Sequence, residues 1–407
     1  MKKRFTLGTV LALMLLVAVT TVVIAYSMVH RELEKYFDLS TAQRTEFGKF
    51  IEARNDIQRN FIGAADDNEI LDGAIRGMLS ALDDKYSHYL NAEEYEKYRL
   101  GLENQFVGIG ITASLSAEGD ILVSDVYEDS PAKEQGLAPF DRVIAVEGTP
   151  VSELGYELAV SAMTGEENTR LKITVLRAAD GSVADITLVR RRVDVQAVYS
   201  EILSGQNIGL IRVRNFDLNV DRDFREALER LLAADVSAVI FDLRNNPGGQ
   251  LDVMCPMLDA LLPEGTIITM RDKNGNVYPQ TSDAAEVTLP MAVLVNENTY
   301  SAAEFFAAAL REYDKASLVG EPTTGKGYAQ ATIRLTDGSA LILSTMEYFT
   351  PKGKSLSGTG LKPDVTVTLT EEERSHFNQL THEQDRQLQA AIDLLTSKLA
   401  SPEGETA

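Results

Sequence analysis

The chain has 407 residues, enough for roughly two to four domains of 100 to 200 residues, and with 44% hydrophobic and 25% charged residues it is neither collagenous nor wholly disordered. Its 39 Lys and Arg against 61 Asp and Glu give a net charge of -22, which repels phosphate backbones and excludes nucleic acid as a natural partner. The single cysteine, Cys255, excludes an intrachain disulfide and a zinc site of several thiolates, and 4 histidines leave little room for histidine-dependent chemistry.

Lys2, Lys3 and Arg4 precede 25 uncharged, largely aliphatic residues, 5–29, long enough to span a bilayer as a helix. The basic triplet orients such a span with its start in the cytoplasm and the acidic remainder exported. A cleaved signal peptide shares these features, but the apolar run exceeds the usual h-region and no clear Ala-x-Ala site closes it, so a retained anchor is the expectation. Either reading places the folded part outside the cytoplasm, with Cys255 a small core hydrophobe.

Residues 30–98 carry apolar side chains at helical spacing, among them Ile57, Phe61, Ile62, Ile70, Leu71, Ile75, Met78, Leu79 and Leu82. Over 99–192 the period changes to short β runs, at 107–112, 121–126, 142–146, 171–176 and 186–189, separated by turn residues. From 193 to 370 strands alternate with helices: strands at 209–213, 238–243 and 291–295, helices at 220–234, 251–262 and 302–313. That alternation implies right-handed βαβ crossovers and a mostly parallel sheet. Residues 371–400 form a polar helix that packs back on the core or the first helices, and 401–407 is an expected disordered tail.

Three segments could carry chemistry. Ser301 lies in Asn298-Thr299-Tyr300-Ser301-Ala302-Ala303-Glu304, between the 291–295 strand and the next helix. A hydroxyl at such a turn stands at the C-terminal edge of the sheet, beside free N–H groups of a helix start. Ser301 with Glu304 is equally an N-capping box, and on this segment alone the cap is the plainer reading. The second segment, Gly320 to Gln330, approaches a P-loop but has Gly327 where Ser or Thr must hold Mg²⁺, and it precedes a strand instead of a helix. What remains is Lys326 between glycines, with Gln330 four residues on and on the same face if the chain is extended. A solvated lysine is the default for a loop, yet a serine hydrolase without a histidine in its sheet domain needs a base, and a desolvated lysine is the known alternative. The third segment, 239–249, is a buried strand ending in Asn245-Asn246-Pro247-Gly248-Gly249, whose glycines let backbone N–H groups approach a ligand.

Together with Leu82-Asp83-Asp84-Lys85-Tyr86-Ser87, Phe106-Val107-Gly108-Ile109-Gly110-Ile111, Ser130-Pro131-Ala132, Asp141-Arg142-Val143-Ile144 and Thr350-Pro351, these segments resemble the C-terminal processing peptidases, or tail-specific proteases, over residues 30–395. The resemblance implies a multidomain α/β and β fold: membrane anchor or signal 1–29, helical region 30–98, PDZ domain 99–192, crotonase/ClpP-like α/β protease core 193–370 and C-terminal helix 371–400. It makes Ser301 the nucleophile, Lys326 the general base and Gln330 the residue that orients the lysine. Oxyanion donors would fall on the backbone of Gly248 or Gly249 and of Ala302. Gly108, Ile109, Gly110 and Ile111 would bind the peptide, as PDZ domains capture a C-terminal carboxylate on N–H groups and add the tail as a strand. Two positions depart from the family pattern: Tyr300 where relatives carry a small residue, and Asp84 where proline is common. The expected protein is a membrane-anchored extracytoplasmic serine endopeptidase acting on accessible protein C-termini without metal or cofactor, with a homodimer through the helical terminal regions. The alternative is a non-catalytic, membrane-anchored PDZ scaffold.

Overall fold

The computed structural model of the protein describes residues 19–24, 26–28 and 41–400. Most of the expected anchor, 5–29, and the tail 401–407 lie outside the described residues, and among the described residues no helix is long and apolar enough to cross a membrane.

The chain divides into two units, Met1–Met78 and Leu79–Ala407. In the first, α1 (Thr41–Asn60) turns into α2 (Asp67–Ser80), whose start it holds through Arg54 and Gln58, both donating to the Asp67 carboxylate. α1 leaves Phe47 and Ile51 exposed.

The second unit opens with a strand inside the region expected to be all helical: β1 (His88–Leu90), too short to show a period, with Tyr89 buried. α3 (Ala92–Leu102) follows, started by a capping box between Asn91 and Glu94. The β-rich module comprises β2 (Gln105–Gly108), β3 (Ile111–Leu115), β4 (Ile121–Val126), β5 (Arg142–Val146), α4 (Tyr156–Met163), β6 (Arg170–Leu176), β7 (Val183–Val189) and β8 (Arg191–Asp194). Alternation along β6 buries Leu171, Ile173 and Val175 against Ile121, Val123 and Val143 and turns the intervening residues outward, the pattern of a half-buried antiparallel sheet. β3 is its edge strand, paired with β4 alone, and β8 returns to pair with β2.

The α/β core is a six-stranded sheet of β9 (Val198–Leu203), β10 (Ile208–Val213), β11 (Ala238–Asp242), β14 (Met291–Val295), β15 (Ala316–Gly320) and β18 (Val365–Thr366), in that order. Only the β9–β10 pair is antiparallel. β11 and β14 are buried at every position, as strands covered on both faces must be. One face packs on α5 (Val220–Ala233), α6 (Leu251–Asp259) and α7 (Ala302–Glu312). The other is closed by α8 (Arg386–Ala400), whose Leu388, Ala391, Ile392 and Leu395 meet Leu210, Ile240, Ala292 and Leu294. Phe306 of α7 lies 5.5 to 6.2 Å from the rings of Phe216, Phe224 and Phe241. Such pairs contribute about 0.5–1.5 kcal/mol each beyond their burial, so this cluster fixes α7, and the turn at its start, to the sheet.

A second, antiparallel sheet of β12 (Gly265–Asp272), β13 (Val277–Ser282), β16 (Tyr328–Arg334) and β17 (Ala340–Phe349) takes β1 as an edge strand. This pairing brings the segment before β1 to the rim of the core. The continuous helix expected over 371–399 is instead a short turn at Glu371–Ser375, a 3-10 turn and α8. Asp385 at the break is drawn inward to the buried Arg244 side chain.

Candidate active site

β14 delivers Ser301 through a turn that the loop after β11 braces. Asn296 Oδ1 accepts from the Asn245 N–H at 2.9 Å, its Nδ2 donates to Asn245 Oδ1 at 2.9 Å, and Thr299 Oγ1 donates to the Leu243 carbonyl at 2.8 Å. Held this way, Ser301 has φ 58° and ψ -130°, a conformation that a non-glycine residue adopts only when its surroundings over-determine it. The side chain is buried, at the N-cap of α7. Gly248 stands against it: a Cβ there would lie 2.8 Å from Ser301 Cβ and 2.9 Å from the Ala302 nitrogen, so no side chain fits.

Glu304 joins the serine to the lysine. Its fully buried carboxylate accepts from the Ser301 N–H at 3.0 Å and the Lys326 N–H at 2.9 Å on one oxygen, and from the Gly325 N–H at 2.8 Å and the Thr323 hydroxyl on the other. Burial pushes the Glu304 carboxyl above its usual range against the pull of these donors. The cap expected from Ser-x-x-Glu is present, and that spacing was the signal for Glu304, legible only as a cap.

Lys326 lies with Tyr300, Gln330 and Tyr86 on a cavity of about 600 Å³. Burial pushes its amine below the ordinary lysine value, and the Asp84 and Glu304 charges offset part of that. Among the described residues no hydrogen bond joins Lys326 Nζ to Ser301 Oγ; the amine stands 4.9 Å from the Tyr86 ring centre and 5.9 Å from that of Tyr300. Gln330 shares the cavity, its Nε2 donating to the Tyr328 carbonyl and Ser344 Oγ, both at 3.1 Å, and among the described residues no bond runs from Lys326 Nζ to its Oε1.

Of the two glycines, Gly248 has its N–H committed to Asn246 Oδ1 at 2.8 Å. The N–H groups of Gly249 and Ala302 have no acceptor among the described residues, leaving these two to meet an oxyanion. Behind the glycine loop, Arg244 donates to both oxygens of Asp242 at 2.8 Å and to both of Asp385 at 2.9 and 2.7 Å. Burial alone would raise Asp242, but Arg244 and then Arg212 hold it at about 2. Sequence reasoning missed this network, Asp84 to Ser87 as a wall of the site, and the bracing by Asn245, Asn296 and Thr299.

In the β-rich module Gly110 has φ 84° and no room for a Cβ, which would lie 2.2 Å from Ser130 Cβ. The Ile109 and Gly110 carbonyls accept from Ala132 and Tyr127, and the Ile109 N–H faces the Met163 carbonyl across the Gly108–Thr164 bridge, while the Gly110 N–H has no acceptor among the described residues. Ile111 begins the open edge of β3, beside α4, whose Tyr156 hydroxyl donates to the Ala113 carbonyl at 3.2 Å.

Three family profiles match the chain: the CtpB N-terminal domain (Activating protease) over residues 14–94, PDZ domain over 107–188, and Peptidase family S41 over 207–367. The chain is 33% identical to carboxy-terminal processing protease CtpA of Bacillus subtilis, over 80% of this chain and 70% of the relative. It is 32% identical to the carboxyl-terminal-processing protease of Synechocystis, over 80% and 77%. The fold is similar to that of a putative S41 protease of Bacteroides fragilis, with TM-score 0.57 and 20% identity over 84% and 93%.

Proposed function

The chain belongs to the carboxy-terminal processing proteases of peptidase family S41, a serine-type peptidase with a PDZ domain, and from that membership we propose that Ser301 and Lys326 form its catalytic dyad. The observation that carries the reading is the Glu304 carboxylate, which ties the backbone of a strained, buried serine to that of a desolvated lysine. Neutral Lys326 takes the proton of Ser301 Oγ as Oγ bonds to the scissile carbonyl carbon, and the oxyanion is met by the N–H groups of Gly249 and Ala302 at the helix start. The ammonium then protonates the leaving amine as the C–N bond breaks. Water hydrolyses the acyl-enzyme, giving its proton to Lys326 and restoring Ser301. Gln330, on the lysine's cavity, orients the amine by accepting from Nζ on its Oε1 while its Nε2 stays on Ser344.

The PDZ domain captures the substrate's C-terminal carboxylate on the loop of Gly108, Ile109 and Gly110, where the Gly110 N–H is free, and pairs the tail along β3 from Ile111. Residues 5–29 anchor the protein with this machinery outside the cytoplasm, and the exposed apolar side chains of α1 supply a contact for a second copy. Activity requires no metal.

The test compares full-length protein with Ser301→Ala, Lys326→Ala, the double variant and Lys326→Arg on labelled casein, with fragments identified by mass spectrometry. The first three fall to a common floor, because members of one catalytic unit are not additive. Lys326→Arg is equally inactive, since arginine cannot act as a neutral base. Hydrolysis persists in a chelator and rises with pH. An active Lys326→Arg variant, or strong inhibition by EDTA, refutes the dyad.

A further inference from the structure

Two tyrosines far apart in the second unit's sequence meet at the lysine. Tyr86 precedes β1, on a loop sewn to β17: the Tyr86 N–H donates to Asp84 Oδ1, Ser87 Oγ donates to Asp84 Oδ2, and the Ser344 N–H donates to Ser87 Oγ at 3.0 Å. Tyr300 immediately precedes Ser301, and its N–H is fixed to the Asn246 carbonyl at 3.1 Å. Both rings are thus held by backbone bonds, and the Lys326 amine rests over them at 4.9 and 5.9 Å from their centres. An aromatic face attracts an ammonium ion within about 6 Å and has no comparable attraction for the neutral amine.

We propose that Tyr86 and Tyr300 are positioning residues that cradle Lys326 as an ammonium ion between turnovers, so that the lysine must lose both its proton and its seat on the rings to reach Ser301. The proposal rests on the dyad and adds what sets the lysine's readiness. Asp84, on the Tyr86 loop, and Glu304, on α7, are the acids whose charges reach the amine. Both act in the same sense as the rings, favouring the charged form. Lys85, whose amine takes the Tyr86 ring at 4.8 Å, acts in the opposite sense. His88, Tyr98 and Glu297 line the rest of the cavity. Removing a ring therefore leaves the ammonium less supported, lowers the pH at which the base becomes neutral, and moves the acid limb of kcat/KM to lower pH.

The experiment follows casein hydrolysis against pH for full-length wild type, Tyr86→Leu, Tyr86→Phe and Tyr300→Leu. In parallel, ¹³Cε-lysine NMR follows the titration of Lys326 in each variant on a Ser301→Ala background, where no activity is needed. Tyr86→Leu is expected to move both the acid limb and the titration down by about 0.5–1 unit. Tyr300→Leu moves them less, its ring being farther, and Tyr86→Phe, which keeps the ring, returns them to the wild-type position. Coincidence of both leucine variants with wild type overturns the cradle, as does a phenylalanine variant displaced as far as leucine, which would assign the effect to the hydroxyl. Should Tyr86→Leu not fold, Tyr300→Leu decides by the same two readouts. An active Lys326→Arg defeats the dyad, while the NMR titration still decides the cradle.

Discussion

Removing the Glu304 carboxylate tests whether serine and lysine are held by one group. In Glu304→Ala three backbone N–H groups, of Ser301, Gly325 and Lys326, lose their acceptor in a buried site, together with the Thr323 hydroxyl. Each orphaned donor costs about 1–3 kcal/mol. Water entering the vacated space recovers part of that, so the expected loss is about 3–5 kcal/mol, the range for breaking a buried charged network. Glu304→Gln keeps one oxygen. Its better orientation aims that oxygen at the Ser301 and Lys326 N–H groups and the NH₂ at Thr323, whose hydroxyl then accepts and loses the acceptor for its own proton, so two donors, the Gly325 N–H and the Thr323 O–H, are orphaned instead of four, at about 1–3 kcal/mol each. Since displacement of a catalytic group by about 1 Å costs on the order of 100-fold, kcat should fall about that far in Glu304→Ala and less in Glu304→Gln, with KM little changed. Denaturant unfolding on a Ser301→Ala background, which prevents self-digestion, measures the first quantity, and casein hydrolysis measures the second. Both variants within about 0.5 kcal/mol, the usual range for surface substitutions, and with wild-type kcat would refute the argument.

Asp385→Ala leaves Arg244 half-paired in the interior and should cost about 3–5 kcal/mol in denaturant unfolding, loosening the glycine loop. Asp242, held at about 2 against an ordinary value of 3.8, stabilises above the upper value and loses that contribution as pH falls through the lower, so about 2 kcal/mol should disappear over this window and the loss should be absent in Asp242→Asn. Burial raises Asp217 to about 7 against the pull of Gln250, and its Oδ1 has no hydrogen-bond partner among the described residues. The sign is opposite: stability falls as pH rises from about 4 through 7, and Asp217→Asn should exceed wild type at pH 8 by about 1–4 kcal/mol in chemical unfolding. Amidating the C-terminus of a peptide substrate removes the charge that the loop of Gly108, Ile109 and Gly110 would meet, so KM should rise; equal cleavage of acid and amide would remove tail capture.

The α/β core was legible because β11 and β14 are apolar throughout and end in loops with distinctive residues, and so was the strand-turn-helix setting of Ser301. The β12–β13 hairpin was not, since β13 is exposed at all but its last residue and carries no apolar alternation. β1 was lost to its length of 3 residues. Two glycines side by side point to an oxyanion loop but cannot say which N–H is free; that depends on Asn246 turning its side chain back onto Gly248. Nor could spacing reveal that Asp385 reaches Arg244, 141 positions earlier, or that Tyr86 faces Lys326. These are contacts between segments that only the completed sheets bring together.

A buried lysine flanked by two carboxylates would ordinarily stay charged, because an acid nearby favours the ammonium. Here burial outweighs the acids' pull and the amine lies below its ordinary value, which the hydrogen bonding of the acids helps to explain. Burial pushes Asp84 up, yet bonds from Ser87, Ser344 and the Tyr86 N–H hold it below its usual value; the positive ends of those donors meet its charge before the lysine does. Glu304 is likewise surrounded, with four donors on its two oxygens. Each carboxylate spends its charge on ordering the site, so its residual field at Nζ is smaller than the desolvation that Lys326 suffers, and the amine's net displacement is downward. The acids thus hold the serine turn, the lysine loop and the Tyr86 loop in place while the Lys326 amine stays below its ordinary value. Stripping donors from either acid, as Ser87→Ala does at Asp84, should then strengthen its pull on Lys326 and move the acid limb of hydrolysis to higher pH.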